Sequence, residues 1–294
     1  MERVKNDNWP VTQKTLLPLL ACLLWVLPLK SQHEVSDNTF AGLPNPVNSA
    51  TMFAIGRVDM YDTYLSPLKY TGTSYRVVNE RMSRKSWFDS NFIKQQIIDL
   101  EFAYGQNPSN TASELWLLLD YRLGGHYEFI NKGDFRLRAG GLWNISSGVL
   151  YNQRNGNNPA SARAYTNLNL SVMALYKWQT MTFRWQMDTP FLGVLFSPKY
   201  GQSYYEISLG NSVGVLNVAS LHNQRALRNY MTVDIPAGRF MIRTGYLGSY
   251  YQTSVHSLKT HTYSHSLVVG FVNESVNLSG SKARKRADWN SSYY

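Results

Sequence analysis

Asn167–Asp188 reads NLNLSVMALYKWQTMTFRWQMD, and this stretch decides the fold class. Large apolar side chains occupy every second position from Leu168 to Trp178, with Asn and Ser between the first of them, and the alternation resumes at Phe183 after the short link Gln179–Thr180. A period of two is that of a β-strand, whose successive side chains point to opposite faces. The stretch therefore predicts two antiparallel strands joined by a tight turn, each with one apolar face.

The same alternation recurs along most of the chain, for example where Ile98 and Leu100 flank Asp99. Alternating segments bounded by Gly, Asn, Asp or Pro are typical of transmembrane β-barrels, in which one face contacts lipid and the other the lumen. A soluble sandwich also alternates, but it seldom needs aromatic side chains at the ends of its apolar rows. The chain contains 20 Tyr and 8 Trp, which favours the barrel. Past the N-terminal region its longest apolar run is Leu115–Leu119, far shorter than a membrane helix.

These patterns predict an all-β, transmembrane, antiparallel up-and-down β-barrel in the outer membrane of a Gram-negative bacterium. Ten strands are expected between about Thr51 and Val272, or twelve if Val194–Phe196 and Tyr204–Ile207 are also strands. Short and long connections alternate, as they do in outer-membrane barrels. The short links are Asn131–Gly133, Gln179–Thr180 and Pro236–Gly238, and the long ones are Ser146–Arg163 and Thr189–Gln224.

Residues 1–31 predict a cleaved secretory signal peptide. Basic residues precede an apolar run from Thr15 to Leu29, and cleavage is expected before Gln32. The run is short for a membrane helix and contains two prolines, and it continues for seven residues beyond Cys22, which disfavours a lipoprotein signal. Because Cys22 is the only cysteine, the mature chain would contain no thiol, which excludes disulfides and cysteine-ligated metals.

The remaining chain divides into a periplasmic linker (32–49), the barrel (50–273) and a polar basic tail (274–294). The formal net charge of +10 falls to +8 without the signal peptide, with 25 basic and 17 acidic residues, and about half of that excess lies in the tail. This balance indicates outer-membrane lipids as partners and does not indicate nucleic acid. The tail is either disordered or docked on anionic polymer or headgroups.

Four segments carry a family resemblance: YLSPLKYTG (64–72), NQRNGNNPA (152–160), DTPFLGVLFSPKYGQSYYE (188–206) and THTYSHSLVVGFV (260–272). With them the chain resembles a Bacteroidetes outer-membrane barrel family of unknown function, over about Tyr61 to Val272. The PFLGVLFSPKYGQSYYE run is fairly specific. The resemblance implies the barrel and its location and implies no activity, and the long basic tail departs from the family's usual ending.

Charged residues on the inward parity form the first candidate site. Acids and bases fall on neighbouring predicted strands, so they should stand side by side across the lumen wall. Two functions stay open: an ion-pair network that closes the lumen of a structural or surface-interaction protein, or a narrow path for a small solute. The predicted lumen residues are Arg57, Asp59, Asp99, Glu101, Asp120, Arg122, Arg136, Arg138, Arg184 and Asp188.

The long connection from Phe191 to Gln224 is the second candidate site. Its Tyr, Ser, Gly and Asn content is typical of adaptable recognition surfaces, so it either binds a cell-surface ligand or covers the barrel mouth as a lid. The candidate surface residues are Pro198, Tyr200, Gly201, Tyr204 and Tyr205.

A reaction centre is only weakly indicated. Ser254 and His256 have the i, i+2 spacing that places two strand side chains on one face, which keeps an outer-membrane lipid hydrolase as an alternative. His261 and His265 share a face, but about 13 Å of strand separates them, too far for one metal ion. With Tyr263 they are expected in a headgroup-level aromatic belt, and no metal or cofactor is predicted.

Overall fold

The computed structural model describes residues 47–84, 91–156, 158–237 and 240–275, which contain eleven β-strands and one short helix. The predicted signal peptide, and most of the predicted linker and tail, lie outside these residues. The elements are β1 (Val47–Asp62), β2 (Lys69–Arg84), β3 (Phe92–Gln106), β4 (Ser113–Lys132), β5 (Phe135–Asn152), β6 (Ala160–Trp178), β7 (Met181–Phe196), α1 (Tyr204–Ser208), β8 (Leu216–Ser220), β9 (Gln224–Ala237), β10 (Phe240–Val255) and β11 (Leu258–Ser275).

Ten of the strands form a closed antiparallel ring. Each of β1 to β7 pairs with the next, β7 pairs with β9, β9 with β10, β10 with β11, and β11 with β1. Closure removes both sheet edges, so the backbone amides are satisfied within the wall. β8 pairs with the last residues of β7, beyond the part of β7 that pairs with β9, and forms no part of the ring. The prediction of a ten-stranded barrel is confirmed.

The twelve-stranded alternative is wrong. Val194–Phe196 is the end of β7, and Tyr204–Ile207 lies in α1. The helix forms there because Ser203 and Glu206 make a capping box, in which each side chain bonds the backbone of the other residue. Val47–Ser49, predicted as linker, already belongs to β1, where it pairs with both neighbouring strands.

The connections divide the barrel into two ends. At the turn end, the strands are joined by links that include residues 133–134 and 179–180, and β1 begins and β11 finishes there. At the loop end lie residues 63–68, 107–112, 153–156, 158–159, 197–223 and 256–257. The long connections are shorter than predicted, because β5 continues to Asn152 with Ser146 and Asn152 buried on its inner face, and β7 continues to Phe196.

The two faces of the wall differ as the alternation predicts. Inward side chains are largely buried, whereas apolar side chains on the outer face are exposed, such as Phe102 at 44%, Leu170 at 55% and Phe271 at 67%. An apolar outer face on a closed barrel is the pattern expected of a wall surrounded by hydrocarbon. Within the described residues, no helix has the length and hydropathy to cross a membrane.

Candidate functional site

Most of the predicted lumen charges do lie in the barrel interior. The outward rows of their strands are largely apolar in the middle of each strand, so the polar row has to face inward. The eight residues placed there are Asp99, Glu101, Asp120, Arg122, Arg136, Arg138, Arg184 and Asp188.

Arg57 and Asp59 were assigned to the wrong face and lie on the outer wall. Arg57 is exposed, and Asp59 is half-buried beside His261, with 2.9 Å between its Oδ1 and the imidazole Nε2. The physical reason is that β1 has apolar residues on both parities. Its inward row includes Met52 and Ala54, so the charged parity did not identify the lumen side.

Glu80 is the centre of the interior network, although the sequence analysis missed it. Its two carboxylate oxygens each accept a hydrogen bond of 2.8 Å from Arg184, and Arg243 donates another of 2.6 Å. Gln95 donates to the same carboxylate at 2.6 Å. All of these side chains are buried, and a carboxylate with two guanidinium partners is a strong, geometrically defined contact.

The Glu80–Arg184 pair crosses the lumen. Glu80 lies on β2 and Arg184 on β7, which are five positions apart in the ring of ten and therefore face each other. A second pair crosses near the loop end, where Arg163 of β6 bonds Asp62 of β1 at 2.8 Å, again between opposite strands. The interior is thus bridged at two levels.

Two further clusters of ion pairs occupy the barrel interior between these bridges. Arg76 bonds Asp99 at 2.9 Å and Glu101 at 2.8 Å. Arg122 bonds Asp120 at 2.6 Å and lies 3.4 Å from the carboxylate of Asp188. The sequence signal for Arg76 was its shared parity with Glu80 on β2. That signal was weak because the outward row of β2 contains the polar Asn79 and Arg81, whereas its inward row contains Val78 and Met82.

The space left inside is small. Beside Arg122, Asp188 and Arg228 lies a cavity of about 30 Å³, which is close to the volume that one water molecule occupies in the liquid. Arg228 fills the adjacent lumen with its guanidinium 4.9 Å from the Tyr230 ring centre. This space is large enough to hold ordered water.

The predicted loop surface is divided between packed and exposed residues. Pro198 is buried, whereas Tyr200 and Tyr205 are 74% and 72% exposed, and Gly201 is exposed with a positive φ of 77°. Tyr204 turns toward the barrel, although no feature of the sequence separates it from the neighbouring Tyr205.

Tyr204 attaches the loop to the barrel mouth. Its hydroxyl accepts a 2.7 Å hydrogen bond from the backbone N–H of Ala162, and its ring stacks on Phe196 and meets Tyr64 edge-on. The Tyr64 hydroxyl donates to the backbone oxygen of Gln202 at 2.9 Å. Burial, with Tyr204 nearby, raises the pKa of Tyr64 to about 12, so its hydroxyl stays protonated and able to donate at neutral pH.

We expect Tyr204→Ala to release the loop from the barrel mouth, because the change removes the Ala162 hydrogen bond and both ring contacts. Limited proteolysis of the purified protein should then cut between residues 199 and 213 several times faster than in the wild type. Tyr205→Ala is the matched control, since that ring is exposed and should leave the cleavage rate unchanged. Equal cleavage of the two variants would contradict the attachment.

The histidines do not assemble a reaction centre with their predicted neighbours. His256 Nε2 lies 2.9 Å from the backbone oxygen of Gly214, while Ser254 is exposed on the outer face. His261 pairs with Asp59, and His265 Nδ1 lies 2.6 Å from the Tyr246 hydroxyl. Across the described residues, no three His, Cys, Asp or Glu side chains are grouped to hold a metal ion.

Comparison with known proteins places the chain in a family without an assigned role. The family described as Protein of unknown function (DUF3316) matches residues 16–282. Comparison with curated proteins gave no match.

Several solved structures of barrels are similar to this chain at low identity. Neisserial surface protein A is 10% identical, with 76% of this chain and 95% of that chain covered and a TM-score of 0.32. The translocator domain of the autotransporter NalP from Neisseria meningitidis is 9% identical, with 88% and 95% covered and a TM-score of 0.34. The toluene transporter TodX from P. putida is 8% identical, with 80% and 90% covered and a TM-score of 0.27.

Proposed function

The chain belongs to the DUF3316 family of proteins of unknown function, and from that premise we propose that it is a non-enzymatic outer-membrane β-barrel with a closed lumen. Its role is structural or cell-surface interaction through the loop end. The observation that carries the proposal is the buried Glu80–Arg184 pair, which joins opposite walls of the ring. The Bacteroidetes origin stays a prediction.

The outer wall supports a membrane location. The outer face of a soluble barrel would carry polar side chains. Here exposed apolar residues cover the outer face in the middle of most strands. Aromatic residues such as Trp143, Tyr151 and Trp178 stand among them. A closed antiparallel ring with an apolar exterior can cross a bilayer without leaving unpaired backbone groups in hydrocarbon.

The lumen contacts support a closed barrel over a solute channel. A channel needs a continuous polar path of adequate width, and charged side chains set its selectivity only where they line open space. Here the charges bond one another: Arg184 bonds Glu80 and Arg163 bonds Asp62 across the full width of the ring. The pairs therefore occupy the space that a solute would need.

The loop end supports a surface-interaction role. Several apolar side chains there are more than half exposed, including Val213 at 77%, Leu209 at 69% and Leu216 at 69%. Tyr200 and Tyr205 project beside them from a loop that Tyr204 holds in place. Exposed apolar and aromatic groups on a fixed support are typical of a protein-binding surface.

The test is electrical. We expect the wild-type protein, extracted from membranes in detergent and inserted into planar bilayers, to give no steady single-channel current, because its interior pairs exclude hydrated ions. An open trimeric porin in the same bilayers serves as the positive control, and protease accessibility of the loop end confirms insertion. Steady currents from the wild-type protein would overturn the closed lumen and restore the channel hypothesis.

A further inference from the structure

One sector of the outer wall is charged toward the loop end. In the loop-end halves of the described strands, outward charged side chains occur only on β9, β11, β1 and β2. Four are cationic and one is anionic: Arg225, Lys259, Arg57, Lys69 and Asp59. We call this sector the basic face.

The rest of the wall at that end is uncharged. The outward residues in the loop-end halves of β3 to β7 are uncharged, and most are apolar, aromatic or small, such as Phe102, Leu117 and Val194. Other outward cations stand close to the turn end, at Arg81, Lys94 and Lys132, and Lys177 is exposed at the same end. The basic face is therefore a local feature and does not follow from the overall charge.

Strand register makes the basic face continuous. Arg57 lies directly opposite His265, and Tyr61 lies between Lys69 on β2 and His261 on β11. On the other side, Gln252 of β10 is opposite both His261 and Arg225, and Ser254 is opposite Lys259. Five neighbouring strands about 4.8 Å apart thus span roughly 19 Å.

The other polar side chains of the basic face, including its single carboxylate, bond one another. His261 pairs with Asp59 and stacks on Tyr263 with ring centres 4.5 Å apart, and the Tyr263 hydroxyl donates to Gln252 at 2.7 Å. His265 Nδ1 lies 2.6 Å from the Tyr246 hydroxyl. This network holds the rings of His261 and Tyr263 in place and provides the Asp59 carboxylate with a partner.

The cations themselves remain available to a ligand. Arg57, Lys69, Arg225 and Lys259 are all exposed, and no ion pair within the described part of the chain engages them. Asp59, the carboxylate of the basic face, already bonds His261. The four cations are therefore left to bind an anionic ligand.

The apolar row beneath the basic face is short. On β11 it extends from Leu267 to Phe271, which is about 13 Å along the strand and roughly 10 Å along the barrel axis at a tilt near 40°. An outer-membrane barrel typically has an apolar band about 25 Å tall. In this sector the wall becomes polar and cationic at a depth where lipid would still contact it.

Resting on the proposed membrane location, we propose that the basic face binds the phosphate group of an anionic membrane lipid whose acyl chains lie along Leu267, Val269 and Phe271. Phosphate oxygens match exposed arginine and lysine donors, and the aromatic and imidazole rings suit the headgroup region. The net positive charge disfavours a second copy of this chain, since like charges would face each other across a two-fold axis.

The experiment is native mass spectrometry of the full chain in a neutral detergent, with phosphatidylglycerol or phosphatidylcholine of the same acyl chains as the probe. We expect phosphatidylglycerol to bind about tenfold more tightly than phosphatidylcholine. Changing all four basic-face cations to glutamine should remove the preference, since the two lipids differ in the net charge of the headgroup that these cations attract. The variant is Arg57→Gln, Lys69→Gln, Arg225→Gln and Lys259→Gln.

A matched variant with four turn-end cations changed should keep the preference: Arg81→Gln, Lys94→Gln, Lys132→Gln and Lys177→Gln. If the quadruple variant does not fold, the single variant Arg57→Gln decides the question. Its affinity for phosphatidylglycerol is expected to fall about fivefold. The inference is overturned if both quadruple variants lose phosphatidylglycerol binding equally, or if inorganic phosphate alone displaces the lipid fully. Dimerisation of the protein without lipid uptake would overturn it as well. A chain that is soluble without detergent would overturn the membrane proposal as well, whereas an inserted barrel without lipid preference would overturn this inference alone.

Discussion

Glu80→Gln is expected to lower the free energy of unfolding of the barrel by roughly 3–5 kcal/mol, the effect of removing one partner from a buried ion pair. Arg184 would lose both of its charged contacts with Glu80, and Arg243 would lose one while keeping the two hydrogen bonds of 2.7 Å to Asp234. Glutamine preserves the volume of the side chain, so the loss reports charge and not packing.

Urea unfolding in detergent, followed by the electrophoretic shift between folded and unfolded forms, measures the effect. Glu206→Gln is the matched control, because Glu206 is exposed on α1 and glutamine can also complete the capping box. We expect that control to stay within about 0.5 kcal/mol of the wild type. A Glu80→Gln variant as stable as the control would show that the cross-lumen pair contributes little.

A double variant separates the charge effect from the bridge itself. In Glu80→Met with Arg184→Met, two apolar side chains of similar length meet where the ion pair stood, so Arg184 no longer leaves an unpaired charge, and Arg243 keeps its two hydrogen bonds to Asp234. The double variant is expected to unfold at higher urea than Glu80→Gln. A double variant as stable as the wild type would mean that the ion pair joins opposite walls of the barrel without adding net stability.

The wall of this barrel was predictable because its outer face has to be apolar. On β3 and β7 the outward rows contain no charge in their middle, so the parity of Asp99 and Arg184 identified the lumen side directly. β1 lacked that signal. A narrow barrel needs small or flexible inward residues somewhere, and Ala54 and Met52 provide them, which made the parity of Arg57 ambiguous.

The partners across the lumen were not predictable from neighbouring strands. Cross-strand reasoning pairs residues on adjacent strands, whereas Glu80 and Arg184 are 104 residues apart and meet only because the ring closes. The loop posed a similar problem. Tyr204 and Tyr205 are adjacent and chemically identical, and Tyr204 faces the barrel through contacts with Ala162 and Tyr64, which are far from it in the sequence.

Gly56→Ala is expected to destabilise the closure between the first and last strands by roughly 3 kcal/mol, the upper end of the cost of overpacking. A Cβ at Gly56 of β1 would overlap the backbone oxygen of His265 and lie 2.5 Å from the Cα of Ser266, both on β11. Backbone atoms cannot rotate away, and the ladder on both sides holds the strands together, so the overlap can be relieved only by separating β1 from β11.

Gly141→Ala tests whether the effect belongs to this close approach. Gly141 also lies within a strand, but a Cβ there would have its nearest neighbour, the backbone oxygen of Asn169, at 3.6 Å, an ordinary contact. After refolding in detergent, the folded band on unheated gels should be much weaker for Gly56→Ala and unchanged for Gly141→Ala. Equal yields would mean that β1 and β11 can move apart without loss, and that the ring is held closed by its interior pairs and not by its backbone ladder.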